Sequence, residues 1–180
     1  MRIVAGRLGG RRITGPPGTD TRPTSDRVRE ALFSALGPLD GERVLDLFAG
    51  SGALAIEALS RGAGTAVLVE KDARAARTIQ GNLKALELSA PEAVLRRREA
   101  LAALRDAREA GESYDLVFLD PPYRLAAGLG PDLARALEPV LAPGARVIGE
   151  SDRRDPLDLP GLSTTFERRY GDTLLRIHTA

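Results

Sequence analysis

The chain has 180 residues, 43% of them hydrophobic and 28% charged, which is enough apolar material for one domain with a real core. It contains no cysteine, which excludes disulfides, thiolate metal sites and cysteine nucleophiles, and its one histidine, His178, stands third from the end, which argues against histidine-based triads and His-rich metal sites. The net charge is only +1, but it is unevenly spread: residues 1–30 carry seven arginines against Asp20, Asp26 and Glu30, a local excess of four.

That basic segment comes first in the chain. Arg7, Arg11, Arg12, Arg22 and Arg27 lie within it, and a basic face is the footprint expected of a polyanion-binding surface. Arginine is also this chain's ordinary cation, since only Lys71 and Lys84 among its 26 basic residues are lysines. Met1 to Gly10 has no apolar run and is not a signal peptide, and no window approaches the roughly 18 apolar residues of a membrane span. With the missing cysteines this fits a cytoplasmic protein.

Residues 2–4 and 11–13 read as two short strands around a glycine-rich turn, and Gly15-Pro16-Pro17-Gly18 as a break. Thr24 can cap the helix that follows, with Asp26 in its first turn and Val28, Leu32, Ala35 and Leu36 as its apolar stripe. Gly37-Pro38 ends it. This piece has too little apolar surface to fold alone. Residues 1–40 are therefore expected to be an extension, a small β-hairpin and a helix, docked on a domain spanning residues 41–180.

From Gly41 the pattern alternates. Strands are expected at 44–48, 65–69, 93–96, 116–119 and 145–150, and helices at 50–61, 72–86, 99–110 and 131–141. Such alternation predicts an α/β fold with a mainly parallel sheet covered on both faces. Residues 162–170 and 173–179 flank Gly171-Asp172, a two-residue hairpin turn, so the sheet should finish with an antiparallel hairpin. That seven-stranded architecture resembles the Rossmann-like methyltransferase fold.

Asp46-Leu47-Phe48-Ala49-Gly50-Ser51-Gly52 is a strand running through a Gly-x-Gly turn into a helix. Gly50 and Gly52 permit close approach of a ligand to the backbone, and the helix start offers free N–H groups. Glu70, at the end of the next strand, is placed to accept hydrogen bonds from ribose hydroxyls. The same spacing satisfies a dinucleotide fingerprint, so an NAD enzyme is a rival. Two features oppose it: the chain has no room for a substrate domain and no suitably placed histidine. Asp46, beside the loop, suits a cationic ligand rather than a pyrophosphate, which points to S-adenosylmethionine.

Tyr114 to Leu119 leads into Asp120-Pro121-Pro122-Tyr123. The prolines forbid further ladder pairing and a helix start at Asp120, so a carboxylate, two carbonyls and an aromatic residue would be held stiffly at a strand's carboxyl end. That end faces the ligand crevice in an open α/β sheet. An ordinary strand closed by a Pro-Pro turn is the plainer alternative.

The loop Asp46–Gly52 resembles the cofactor loop of class I methyltransferases, and Asp120-Pro121-Pro122-Tyr123 resembles the (Asp/Asn)-Pro-Pro-(Tyr/Phe) signature of enzymes that methylate exocyclic or amide nitrogen. Arg2-Ile-Val-Ala-Gly6, the block from Arg22-Pro-Thr-Ser-Asp26 to Phe33, Ser60-Arg61-Gly62-Ala63 and Asn82-Leu83 are similar to the RsmD group, the 16S rRNA guanine-N2 methyltransferases. The resemblance runs from Arg2 to about Glu150. It implies that Asp46, Phe48, Ala49, Gly50 and Gly52 line the cofactor, that Glu70 holds its ribose, and that Lys71, Glu99 and Ala100 border its adenine. It implies too that Asp120, Pro121, Pro122 and Tyr123 act on the target base, with Asp120 also touching the cofactor, and that Arg7, Arg11, Arg12, Arg22, Thr24 and Arg27 face RNA. The implied partner is 16S rRNA, free or within a small-subunit particle, with no metal and no membrane. Glu99 is longer than the Asp or Asn usual at its position, and Arg96-Arg97-Arg98 is more basic than the pattern. The competing readings are a DNA adenine-N6 methyltransferase, a protein-glutamine methyltransferase and a non-catalytic RNA-binding factor on the same fold.

Overall fold

The computed structural model describes residues 1–15, 26–121 and 123–180. Its elements are α1 (Asp26–Leu36), β1 (Arg43–Asp46), α2 (Ala53–Ser60), β2 (Thr65–Val69), α3 (Ala73–Ala85), β3 (Ala93–Arg96), α4 (Ala100–Glu109), β4 (Tyr114–Leu119), α5 (Tyr123–Leu137), a 3-10 turn (Glu138–Val140), β5 (Leu141–Asp152), β6 (Ser163–Tyr170) and β7 (Thr173–Thr179).

The strands form one sheet in the order β3-β2-β1-β4-β5-β7-β6. β1 to β5 are parallel, and β7 lies antiparallel between β5 and β6. Strand order reverses direction at β1, between β2 and β4, so a crevice opens at the carboxyl ends of these strands. Alternating side chains supply two cores. Val44, Leu116, Phe118 and Ile148 pack with α1, α2 and α3 on one face. Leu45, Val117, Leu119 and Val147 pack with α4 and α5 on the other.

The N-terminal segment belongs to the first core. Ile3, Leu8 and Ile13 are buried with Leu32, Phe33 and Leu36 of α1. The Phe33 ring meets Phe118 of β4 at 5.9 Å between centroids, and the Arg61 guanidinium lies over the Phe33 ring, 4.9 Å from its centroid. Gly37, at φ +74°, closes α1 with its N–H on the Phe33 carbonyl.

Three expectations need correction. The two N-terminal strands reduce to a single antiparallel bridge, Arg2 with Arg12. Ile3 and Ile13 N–H donate across the turn to the Arg11 and Met1 carbonyls and Gly10 N–H to the Ile3 carbonyl, but the pairing stops at Val4, because Val4 and Ala5 N–H donate to the Glu57 carboxylate. The helix expected at 131–141 instead spans Tyr123–Leu137, running through Gly128, Gly130 and Pro131. Leu133 and Leu137 are fully buried one turn apart and hold it to the sheet, while Gly130 passes so close to the Asp158 carbonyl that a Cβ would sit 2.0 Å from its oxygen. The helix expected from Gly50 starts at Ala53, because Gly50 and Gly52 hold left-handed turn geometry before it.

Candidate active site

The crevice is floored by the glycine loop between β1 and α2. Leu47 N–H bonds the Phe118 carbonyl at 3.1 Å and Ala49 N–H the Val69 carbonyl at 3.0 Å, so the loop is tied to strands on both sides. Gly50 N–H donates to Glu70 Oε2 at 2.9 Å, and Asp72 N–H donates to Glu70 Oε1 at 2.8 Å. Gly52 sits at φ +81°, where a Cβ would press Leu68 at 3.0 Å and Ile56 at 3.3 Å. The turn thus needs glycine on both conformational and steric grounds.

Carboxylates line this edge. Asp46 ends β1, Glu70 follows β2, Asp120 follows β4, and Glu150 stands on β5. Because Leu119 pairs with Gly149, Asp120 comes level with Glu150. Asp46 is buried, and its Oδ1 has no hydrogen-bond partner. Burial pushes its carboxyl up to about 7, the Phe48 and Ala55 amides oppose that shift, and the Glu70 charge adds to it. Asp120 is half-buried, and its carboxyl is also raised well above the usual range, first by burial, then by the charges of Glu150 and Asp46. A cation received here would relieve both.

The other expected cofactor residues gather along the same edge. Ala49 is buried, and Phe48 is half-buried against the α4–α5 core. Lys71 and Glu99, from the loops after β2 and β3, form an ion pair at 3.3 Å with both side chains more than half exposed. Ala100 is buried at the start of α4. Pro121 is buried. Pro122 lies outside the described residues, and Tyr123 is the first residue of α5.

The arginines expected to face RNA divide. Arg7 pairs with Glu92, and Arg11 donates to the Ala85 carbonyl at the end of α3 at 2.6 Å. Both therefore pin the N-terminal arm to the domain. Arg12 and Arg27 are exposed. Arg22 and Thr24 lie outside the described residues. The arginine run that had no account in the sequence acquires one: Arg96 makes a two-pronged pair with Glu112, which also accepts the Tyr114 hydroxyl, and Arg98 pairs with Asp106. These bonds brace β3 against α4 around a surface cavity of about 380 Å³.

Three residues to which sequence reasoning gave no role hold the arm in place. Glu57 is fully buried in α2 and accepts Val4 N–H at 2.7 Å, Ala5 N–H at 3.0 Å and Arg61 Nε at 2.7 Å. Ser60 donates its hydroxyl to the Ala5 carbonyl, while its own carbonyl accepts Arg7 N–H at 2.8 Å. Asn82 on α3 reaches both the arm and the glycine loop. A lone glutamate within the otherwise apolar run Ala53–Leu59 was the available signal. His178 is buried on β7, paired with Val147, with Thr164 Oγ1 at 3.1 Å from Nδ1. Burial and Arg176 lower its proton affinity, Asp158 opposes them, and it stands away from the carboxylate edge. Among the described residues, no helix is long and apolar enough to cross a membrane, and no His, Asp and Glu cluster is arranged to hold a metal ion.

A mainly parallel sheet carrying a glycine loop after β1, an acid after β2, Asp120-Pro121 after β4 and an antiparallel β7 defines the Rossmann-like methyltransferase fold. The solved structure of yhhF from Escherichia coli, provisionally assigned as a methyltransferase, superposes with a TM-score of 0.84 at 36% identity, covering 99% of this chain and 97% of that one. The chain belongs to the family described as Conserved hypothetical protein 95, the RsmD family, whose model it matches over residues 1–179. It is similar to YlbH of Bacillus subtilis, provisionally named an rRNA methyltransferase, at 46% identity over 125 residues, 69% of this chain and 67% of that protein. It is also similar to Ribosomal RNA small subunit methyltransferase D of Escherichia coli, at 41% identity over 125 residues, 69% of this chain and 61% of that protein.

Proposed function

We propose that the protein transfers a methyl group from S-adenosylmethionine to the exocyclic N2 of one guanine in small-subunit rRNA, in the cytoplasm. The observation that carries this reading is the register of β1 on β4: Asp46 pairs with Phe118, two residues before Asp120, so the glycine loop and the Asp120-Pro121 segment open on the same crevice. The names of the relatives support RNA as the substrate.

The chain's residues fit the cofactor on grounds of their own. Asp46 Oδ1 is a buried acceptor without a donor, and the ammonium of an amino-acid moiety supplies one. Gly50 and Gly52 let the backbone approach, and Phe48 and Ala49 complete the loop. Glu70 keeps a spare lone pair on each oxygen for ribose hydroxyls. Lys71, Glu99 and Ala100 stand where adenine would lie. When bound, S-adenosylmethionine supplies an electrophilic methyl on a sulfonium. The Asp120 carboxylate and Pro121 carbonyl accept hydrogen bonds from the base amine, favour a pyramidal nitrogen and stabilise the positive charge that develops there. Asp120 then takes the proton that the nitrogen sheds, a role its raised proton affinity suits. Tyr123 stacks on the base, a contact worth roughly 1–3 kcal/mol. Residues 1–40 form the RNA-facing arm and residues 41–180 the transfer domain.

Asp46 makes cofactor binding depend on pH. Its carboxyl is raised, so its contribution to stability is fullest below its ordinary value of 3.8 and declines as pH rises, until ionisation is complete above about 7. An ammonium binds the ionised form. Cofactor affinity should therefore tighten by up to about tenfold per unit on approaching pH 7 from below and then level off. Calorimetry between about pH 6 and 8 reads this, and Asp46→Asn should flatten the curve.

Exposed Arg12 and Arg27 are the expected phosphate contacts. Charge reversal at each should weaken RNA binding on all sequences and lower the salt slope by about 1 per lost contact, measured by titration at several salt concentrations. An unchanged slope would make them solvated surface only.

Mass mapping of rRNA from a deletion strain tests the function. The expected result is the loss of one methyl on one guanine, restored by the gene. An unaltered rRNA, or a lost methyl on DNA adenine, would overturn the reading.

A further inference from the structure

We infer that Asn82 is the positioning residue through which the N-terminal arm and the glycine loop act on one another, so that RNA on the arm and cofactor on the loop tighten each other's binding. This rests on the transferase reading above, and concerns how its two ligands communicate.

Asn82 lies on the inner face of α3 between buried Ile79 and Leu83, and is itself 4% exposed. An apolar residue would be the ordinary choice there. Instead its side-chain oxygen accepts Thr14 N–H at 2.9 Å, and its Nδ2 donates to the Thr14 carbonyl at 2.8 Å and to the Ser51 carbonyl at 2.9 Å. Both amide hydrogens and the oxygen are committed. A planar group bonded in this way cannot follow a displacement of Thr14 without loosening Ser51.

Ser51 is the residue between Gly50 and Gly52, so its carbonyl belongs to the cofactor loop itself. A second bond joins the same two parts. The Ser51 hydroxyl reaches Met1 Sδ at 3.8 Å, Arg29 Nη1 reaches that sulfur at 3.2 Å, and the Met1 ammonium donates to the Ile13 carbonyl at 3.3 Å. Ser51 therefore faces the arm with both its backbone and its side chain. The arm in turn carries Arg12, two residues before Thr14. Loop geometry and arm geometry are thus one arrangement, and a ligand that selects the ordered form of either selects the ordered form of both.

The test measures S-adenosylhomocysteine affinity of the full chain by calorimetry, with and without purified small-subunit rRNA or particles. The wild-type protein should bind the nucleoside about fivefold or more tightly with RNA present, and RNA should bind more tightly by the same factor with the nucleoside present. Asn82→Asp keeps the acceptor for Thr14 N–H but cannot donate to Ser51, and the factor should collapse to about one while each ligand still binds singly. Asn82→Ala should do the same, with thermal melting to show that it folds; if it does not, the aspartate variant decides. Undiminished mutual tightening in the variants, or a wild-type protein that binds both ligands independently, overturns the inference and leaves the transferase reading intact. A wild-type protein that binds no nucleoside overturns the transferase reading itself.

Discussion

Asp120→Ala should lower the rate of methyl transfer by about 10²–10³-fold, while cofactor affinity falls far less. The separation follows from geometry. Asp120 stands one residue past β4, level with Glu150, whereas the glycine loop and Glu70 hang on β1 and β2. Removing the Asp120 side chain leaves the bonds from Gly50 to Glu70 and from Ala49 to Val69 untouched. On the proposed mechanism it removes the acceptor for the attacking nitrogen and the group that takes its proton. Asp120→Asn keeps an acceptor oxygen but no basic site, so it should fall between the wild type and the alanine variant. Single-turnover rates at saturating RNA, beside calorimetric cofactor binding, read the two effects separately. A wild-type rate in the alanine variant would remove Asp120 from the chemistry.

The sheet was legible because its signals are local. β3 was expected and found at Ala93–Arg96, and the hairpin β6–β7 turns at Gly171-Asp172 as the dipeptide requires. The glycine loop and Asp120 were legible because each follows a buried strand whose apolar run announces where it ends. What sequence could not show was the destination of polar groups over long range. Glu57 meets Val4 and Ala5 across more than fifty residues, and Asn82 meets Thr14 across 68. Nothing in a periodic pattern encodes those meetings, so the hairpin could be read from the arm, but not that its Val4, Ala5 and Leu8 amides bond to α2. The same limit hid the partners of Arg7 and Arg11, since Glu92 and Ala85 are brought near only by the fold. The start of α5 failed for the opposite reason: a proline suits the first helical position, so the helix was expected to begin at Pro131, whereas it begins at Tyr123 and runs through Pro131 to the buried Leu133 and Leu137.

Glu57→Ala should destabilise the protein by about 3–5 kcal/mol, the range for breaking a buried, hydrogen-bonded ion pair by removing one partner. The Glu57 side chain is wholly inaccessible and that of Arg61 is 19% exposed, so neither is a surface pair whose loss would be small. Alanine would strand three donors at once: Val4 N–H, Ala5 N–H and Arg61 Nε. Glu57→Gln retains one acceptor oxygen and should lose less. For a chain of this size the alanine variant's melting temperature should fall by about 6–20 °C, and chemical denaturation should give the free energy directly. The consequence reaches function, because the arm carries Arg12 and is tied through Thr14 and Asn82 to the cofactor loop. A loss below about 1 kcal/mol would mean that the arm's amides find other partners and that Glu57 is not what holds the arm to the transfer domain.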